Sequence, residues 1–372
     1  MNVFANQGTI RCSVIRYLCL MQLTYLNTAA TGIVPSEFTE RANQLYPEMT
    51  AAASSRAEKW RDEELPVVRR HVADFLGASA DCIALLPNFS WGVSGIVHSL
   101  KGDEKVMLYK GDYPSLLDPF KINGFDITWI EDVDGFTIPI DEMKQRLLNE
   151  KVNILAISHV QWMSGYKLDL ADIGAFCADN GIWLIVDATQ SLGAVNIDLS
   201  ALPVDVLIAS DYKWMNAGFG TGIMYVSKDF LQHFTPAVAG FGSYTFTDGK
   251  PQYSPSVRSF EPGHPNMFGL MVLDAAIQHK MQLGMDHIEE HDMALVQFFL
   301  DEIKNLDIQL LGGSSVENRA PFVLVRDRNG LGQLLKDNGI IVTHRMGWLR
   351  ISFHYYNSEA HVKRVVEVLK NA

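Results

Sequence analysis

Positive charge is in short supply in this chain. Lys and Arg total 31 against 43 Asp and Glu, a formal net charge of −12. So acidic a protein repels nucleic acid and anionic membranes, and no run of Lys or Arg suggests a local exception. Cysteine is scarce too: Cys12, Cys19, Cys82 and Cys177, with no CxxC spacing. Such a set builds no disulfide framework and reads as the reduced, mostly buried thiols of a cytoplasmic protein. The histidines are scattered, with no HExxH motif and no Cys/His cluster, so no metal is expected. No stretch is long and apolar enough to span a membrane. Residues 14–26 are apolar and follow Arg11, but Arg16 interrupts them and no small-residue cleavage site follows, so export is not expected. Internal repeats and low-complexity segments are absent.

What is present is core material. Hydrophobic residues make up 48% of the 372 and charged residues 20%, enough for two domains or one large domain with a smaller partner. Apolar runs at Lys105–Tyr109, Asp126–Ile130, Ile154–Ser158, 183–186, 206–209 and 223–226 read as strands. Helical periodicity fills 90–100, 115–123, 141–149 and 169–180 between them. This alternation predicts an α/β protein with a mainly parallel sheet sandwiched by helices. The run 223–226 follows a glycine-rich turn and is expected to be antiparallel. Residues 244–265 shift to Gly, Pro, Ser and aromatics and read as a long loop. Helices over 268–283 and 288–306, strands near 308–311, 322–325 and 349–353, and a last helix from Ser358 predict a smaller α+β C-terminal domain. The expected division is 30–262 for the large domain, with 1–29 and 263–372 forming the small one.

Ligands of such folds bind at the carboxyl ends of the strands. Asp187 ends one predicted strand, and Lys213 lies in the turn Ser210-Asp211-Tyr212-Lys213 after the next. That pair is what a protein needs to hold pyridoxal 5'-phosphate. A carboxylate keeps the pyridine nitrogen protonated, and a lysine amine condenses with the aldehyde as a Schiff base. Burial would lower the lysine pKa and make the amine nucleophilic. Gln190, three residues after Asp187, can reach the ring's phenolic oxygen or act only as a capping residue. Ser90, in Asn88-Phe89-Ser90-Trp91-Gly92 ahead of a helix, can add its hydroxyl to a phosphate on free backbone N–H groups, or can be a plain helix cap. Tyr113 can stack on a ring or pack. His159 ends another strand as a hydrogen bonder behind the cofactor or as a structural histidine. Arg350 can grip a carboxylate through two parallel hydrogen bonds, or form a surface ion pair, and His344 and Arg345 are nearby. Gly218-Phe219-Gly220-Thr221-Gly222 is no dinucleotide fingerprint, because a strand rather than a helix follows it.

Together these motifs resemble the class V aminotransferase family of fold-type I pyridoxal-phosphate enzymes, which includes cysteine desulfurases, kynureninase-like enzymes and isopenicillin-N-epimerase-like proteins. The resemblance runs from Tyr25-Leu26-Asn27-Thr28-Ala29-Ala30 to Arg350-Ile351-Ser352-Phe353-His354-Tyr355-Tyr356-Asn357. It implies that Lys213 carries the Schiff base, Asp187 faces the ring nitrogen and Gln190 touches the ring oxygen. It implies phosphate contacts from Ser90, Ser210, Tyr212 and the Trp91 backbone, stacking by Tyr113, and substrate contacts from Arg350, Asn27 and Ala29. It also implies a homodimer with interfacial active sites, in which His264 or Asn266 completes the neighbour's phosphate site.

The family's desulfurases carry a nucleophilic cysteine before the carboxylate-binding arginine. Here the segment 338–348 has none, which makes a desulfurase the unexpected outcome. The residues shared by the family lead to an expected aminotransferase acting on a small amino acid, with a Cβ–X lyase or an amino-acid epimerase as the alternative.

Overall fold

A computed structural model describes residues 23–236, 238–254 and 256–371. Strand β1 (Thr24–Tyr25) leads into helix α1 (Ser36–Lys59), a π-helical turn at Trp60–Glu64 and α2 (Leu65–Leu76). Then follow β2 (Ile83–Leu86), α3 (Phe89–Ser99), β3 (Lys105–Tyr109), α4 (Pro114–Ile122), β4 (Asp126–Ile130), α5 (Ile140–Asn149), β5 (Ile154–Ser158) and α6 (Leu170–Asp179). After these come β6 (Trp183–Asp187), β7 (Val206–Ser210), β8 (Gly222–Val226), α7 (Lys228–His233), β9 (Tyr244–Thr247) and β10 (Lys250–Tyr253). The chain ends with α8 (Met267–Leu283), α9 (Met285–Ile303), β11 (Phe322–Arg326), α10 (Leu331–Asp337), β12 (Ile340–Ile341), β13 (Thr343–Arg345), β14 (Trp348–Ser352) and α11 (Glu359–Lys370).

Seven strands form the main sheet in the order β2-β8-β7-β6-β5-β3-β4. The neighbours from β4 to β7 pair in parallel, and β8 is antiparallel to both β7 and β2, as its glycine-rich approach predicts. The central strands are apolar on both faces because helices cover both. Leu155, Ile157, Leu184 and Val186 face one core, shared with Leu45, Val68 and Val72 of α1 and α2 and with Leu270, Leu273 and Ile277 of α8. Ile154, Ala156 and Ile185 face the other, against Val93 and Ile96 of α3 and Leu117 and Phe120 of α4. Each such aliphatic side chain contributes roughly 1.5–3 kcal/mol by leaving water.

A second sheet, β11-β14-β13, is antiparallel throughout. Val323, Leu349 and Ile351 pack beneath Val296 and Phe299 of α9 and Val362 and Val365 of α11. β1 pairs in parallel with β12, Thr24 opposite Ile340, in a separate two-stranded sheet, and the Ser352 N–H donates to Leu26 O at 2.9 Å, which ties the first described residues to β14.

Two local expectations change. Residues 308–311 form no strand, only an isolated bridge between Leu310 and Val325. The segment 244–265 is not structureless: β9 and β10 form a hairpin, and a 3-10 turn follows at Val257–Phe260. Every strand residue of the hairpin is exposed, and the signal that was passed over is local: Tyr244 and Phe246 alternate with threonines ahead of an Asp248-Gly249 turn, with φ of 52° and 76°. The four-residue apolar run Ile83–Leu86 of β2 was not read as a strand.

Among the described residues no helix is long and apolar enough to cross a membrane, and no group of three or more His, Cys, Asp or Glu could hold a metal. Cys82 and Cys177 are free and buried. Cys12, Cys19 and residues 14–22 lie outside the described residues.

Candidate active site

The carboxyl ends of β5, β6 and β7 form the floor of a cavity lined by Ser158, Asp187 and Ser210. Asp187 and Ser210 are the last residues of their strands. Strand alternation turns both side chains away from the face of Leu184 and Val186, toward α3. Lys213, Tyr212, Gln190, Thr189, Tyr113, Trp162, Asn88, Phe89 and Ser90 complete the wall.

Asp187 is buried, and the Thr189 backbone N–H donates to its Oδ1 at 2.8 Å. Burial raises the carboxyl pKa and the nearby Asp112 raises it further, while the hydrogen bonds from Thr189 and the charge of Lys213 pull it down. Lys213 is buried as well. Desolvation lowers the pKa of its amine, as do the charges of Arg350 and Arg345, while Asp187 opposes them. A lysine so placed spends more time as the free amine than one in water, which is what nucleophilic attack on an aldehyde requires. Its Nζ lies 5.8 Å from the Tyr113 ring centre and 5.6 Å from that of Tyr212.

The wall opposite is the N-terminus of α3. Asn88 caps it by accepting from the Trp91 N–H at 2.9 Å, and Ser210 Oγ accepts from the Phe89 N–H at 2.8 Å. Ser90 N–H lies between these two capped donors in sequence, the residue lines the same cavity, and Ser210 Oγ still has its own proton to give. The helix end adds partial positive charge. These groups suit a phosphate.

Gln190 is fixed at both ends of its amide. Nε2 donates to Ala29 O at 2.9 Å, and Oε1 accepts from Trp214 Nε1 at 2.8 Å. One Nε2 hydrogen remains for a ring oxygen. Ala29 N–H donates to Ser352 Oγ at 3.2 Å, and Asn27 Oδ1 accepts from the Thr343 hydroxyl. Asn27 and Ala29 thus bind the first turn to β13 and β14. Arg350 Nη1 donates to Trp162 O at 2.6 Å, while its buried Nε has no partner. Burial lowers the Arg350 pKa to about 10, helped by Arg345, so it stays a cation at neutral pH.

Several predicted site residues lie elsewhere. His159 follows β5 in register with Leu155 and Ile157, which places its side chain on the far face of the sheet. Its backbone N–H donates to Asp187 O at 2.9 Å. Burial, with the charge of Lys167, pushes the imidazole down to about 3, so it is neutral. The Trp91 indole is exposed and lines an adjoining cleft with Gly220, Thr221, His264 and Asn266. Asn266 caps α8 by accepting from the Gly269 N–H at 3.0 Å, and the His264 ring lies 5.0 Å from that of Phe241.

Two contributors escaped the sequence reading. Asp112 is buried behind the cavity, where it accepts from Ser158 N–H at 2.9 Å, Gln161 Nε2 at 3.2 Å and Tyr113 N–H at 2.7 Å. It ties the ends of β3 and β5 together. It sits just past a strand's carboxyl end, the same signal that marked Asp187. Asp211 is buried beside Thr221, and burial pushes its carboxyl up to about 8 against a smaller lowering by Thr221, so it is mostly neutral at pH 7.

The cavity offers an amine, a carboxyl and an anion-binding helix end beside an aromatic ring. These fit pyridoxal phosphate group for group. Residues 24–365 match the family model described as Aminotransferase class-V. The chain belongs to that family. A curated relative, "Probable cysteine desulfurase" of Pyrococcus abyssi, is 26% identical over 94% of both chains. Among solved structures, the apo cysteine desulfurase of Thermococcus onnurineus matches with a TM-score of 0.84 at 23% identity, over 94% of both chains. A cystine C–S lyase in complex with cysteine persulfide matches with a TM-score of 0.82 at 21% identity, over 94% of this chain and 98% of that one. Both are fold-type I architectures, as the sheet predicts.

These relatives correct the functional expectation on two counts. They point away from an aminotransferase, and they overturn the exclusion of a desulfurase-like reaction. The aminotransferase expectation rested on residues that every branch of the family shares. The exclusion rested on the missing cysteine in 338–348, and that absence concerns where sulfur is held afterwards, not which bond breaks.

Proposed function

We propose that this protein binds pyridoxal phosphate through Lys213 and cleaves the Cβ–S bond of a cysteine-type amino acid. The observation that carries the cofactor is the single cavity uniting Lys213, Asp187 and the α3 N-terminus. The bond assignment rests on the relatives named for carbon–sulfur cleavage. When bound, the cofactor supplies an aldehyde to capture the amine and a ring that stores the electron pair left at Cα.

The protein's own groups do the rest. Ser90 and Ser210 hold the phosphate, with Tyr212 alongside, and Tyr113 covers the ring. Asp187 keeps a proton on the ring nitrogen, and a cation placed there in turn favours its ionised form. Gln190 gives its spare hydrogen to the ring oxygen. Arg350 orients the substrate carboxylate. Lys213 Nζ takes the Cα proton. Two balanced outcomes share that step and then part. If an acceptor thiolate attacks the substrate sulfur, the Cβ–S pair passes to carbon, and cysteine and thiol give alanine and a persulfide. If sulfur leaves with the pair, cysteine and water give pyruvate, ammonia and sulfide. Segment 338–348 offers no cysteine, so in the persulfide outcome the acceptor thiol comes from outside that segment. We further propose a homodimer in which His264 and Asn266 face the partner's phosphate site.

The test is direct. Purified protein with added pyridoxal phosphate gains a visible absorption band that Lys213→Ala abolishes. Incubation with L-cysteine or L-cystine then releases reduced sulfur in step with alanine or pyruvate. A colourless protein, or turnover that yields a keto acid with its sulfur still attached, sinks the reading.

A further inference from the structure

Beneath the turn that carries Lys213 lies an imidazole that the reaction above does not employ. His354 is fully buried two residues past β14, and its backbone N–H donates to Asn357 Oδ1 at 2.8 Å. Its Nε2 lies 2.9 Å from Trp214 O and 3.1 Å from Asn216 Oδ1. A carbonyl such as Trp214 O only accepts. Asn216 presents its oxygen here because its Nδ2 donates to Ile33 O at 2.9 Å. Two acceptors facing one ring nitrogen require that nitrogen to carry the proton. Lys280 Nζ stands 3.1 Å from the same Nε2 and has no lone pair there to meet, so it donates to Gly193 O at 3.1 Å instead.

Nδ1, at the other end of the ring, is 2.7 Å from Asp292 Oδ2. With Nε2 protonated, Nδ1 either bears a second proton, making an imidazolium, or accepts from a carboxylic acid. Burial and Lys280 hold the imidazole well below its usual pKa, and burial holds the Asp292 carboxyl well above its own. Both favour a neutral ring that accepts from a protonated Asp292. Lys280 from α8, Asp292 from α9 and His354 from the segment after β14 thus meet under one turn.

That turn needs support. Asn216 has a φ of 60°, in the left-handed region, and its N–H donates to Lys213 O at 3.1 Å. A non-glycine residue stays in that region when its surroundings hold it there. The Asn216 amide is held at both ends, by Ile33 and by His354.

We infer that His354 is a positioning residue: as a neutral ring donating from Nε2 to Trp214 O and Asn216 Oδ1, it fixes the backbone of residues 213–216 and so aims the Lys213 amine. This rests on the role proposed above for Lys213.

Ring 15N NMR of histidine-labelled apo-protein reads the proton directly, with His354→Gln assigning the signal. A neutral ring protonated on Nε2 is expected, and a charged ring or a proton on Nδ1 overturns the inference. Two variants supply the kinetic test. His354→Leu removes the donor, and His354→Gln keeps one toward Trp214 O. In cofactor-loaded protein, kcat for sulfur release from L-cysteine should fall about tenfold in His354→Leu, the factor that one net hydrogen bond represents. KM should change by less than about threefold, because the lost contact acts on the reacting amine and not on substrate binding. The visible band should shift as well, and His354→Gln should recover most of both. Lower stability with kcat per loaded site and band unchanged would mark a structural role and overturn the inference. Should His354→Leu fail to fold, the ring spectrum and the kcat and band of His354→Gln decide. If the wild type captures the cofactor but releases no sulfur, the reaction assignment fails instead. The rate of cofactor capture by apo-protein then decides: slower capture in His354→Leu, restored in His354→Gln, upholds the inference, and equal rates refute it. A wild type that captures no cofactor removes the role of Lys213 and this inference with it.

Discussion

Trp214, the residue after Lys213, donates its indole N–H to Gln190 at 2.8 Å. The two sequence signatures, one after β6 and one after β7, are thereby joined by a buried hydrogen bond, and Gln190 passes the connection on to Ala29. Gln190→Leu keeps roughly the same bulk but leaves the Trp214 N–H and the Ala29 carbonyl without partners. Each orphaned group costs about 1–3 kcal/mol. The variant should unfold at clearly lower urea concentration and release pyridoxal phosphate faster. Trp214→Phe orphans only the Gln190 oxygen and should lose less. Equal stability of wild type and Gln190→Leu in urea titrations would refute the connection.

The depressed proton affinity of Lys213 carries a pH signature. Burial is the largest cause, and the cations at Arg350 and Arg345 add to it. A lowered lysine pKa means the free amine accumulates at lower pH than it does in solution. Cofactor capture by the apo-protein, followed through growth of the visible band, should therefore accelerate through the neutral range rather than in alkali. Removing a positive neighbour raises the pKa again. Arg350→Leu should shift the rise to higher pH, and a profile that stays in place would contradict the electrostatic account.

Much of this site was legible because buried parallel strands are unbroken apolar runs and their carboxyl ends are where polar residues reappear. Asp187 and Ser210 could be placed from that rule alone. His159 obeyed the same rule, yet period-two alternation sent its ring to the opposite face. Sequence position marks the end of a strand but not the face unless the register is traced. Asp112 was passed over because a tyrosine beside it drew the functional reading. Arg345 was noted only as a neighbour, since its place depends on a hairpin register that pairs it with Trp348. The reaction itself was not legible. The amine, carboxyl and phosphate groups are common to all outcomes, and only the relatives turned the reading toward sulfur.

Below the Lys213 turn lies a fully buried chain of ionisable groups. Asp292 Oδ2 is 2.7 Å from His354 Nδ1, and His354 Nε2 is 3.1 Å from Lys280 Nζ and 2.9 Å from Trp214 O. Lys280 Nζ also donates to Gly193 O at 3.1 Å. Burial raises the Asp292 carboxyl well above its usual range, with Lys280 opposing, so Asp292→Ala chiefly takes the partner from His354 Nδ1 and should cost about 1–3 kcal/mol. The double variant Asp292→Leu with Lys280→Met removes both ends of the chain and should cost less than the sum of the two single changes. Denaturant titrations of the four proteins check this, and strict additivity would show that the groups do not interact.

Gly32 presses on the backbone of the Lys213 turn. Its N–H donates to Tyr212 O at 2.8 Å, and a Cβ built on it would collide with the Lys213 carbonyl oxygen. The atom in the way is backbone, so no side-chain rotation relieves the clash. Gly32→Ala must push the 29–32 turn away from residues 212–213 or distort both. Overpacking of this kind costs roughly 1–3 kcal/mol. Ala29 accepts from Gln190, so the displacement also pulls on the hydrogen bond that fixes the glutamine. The expected phenotype is selective: a modest fall in unfolding midpoint with a larger drop in kcat for sulfur release and a shifted visible band, because the amine is moved while Arg350 stays in place. KM should change little by comparison. Should Gly32→Ala lower stability and leave both the band and kcat untouched, the close approach would be a packing contact alone, without influence on the orientation of the lysine.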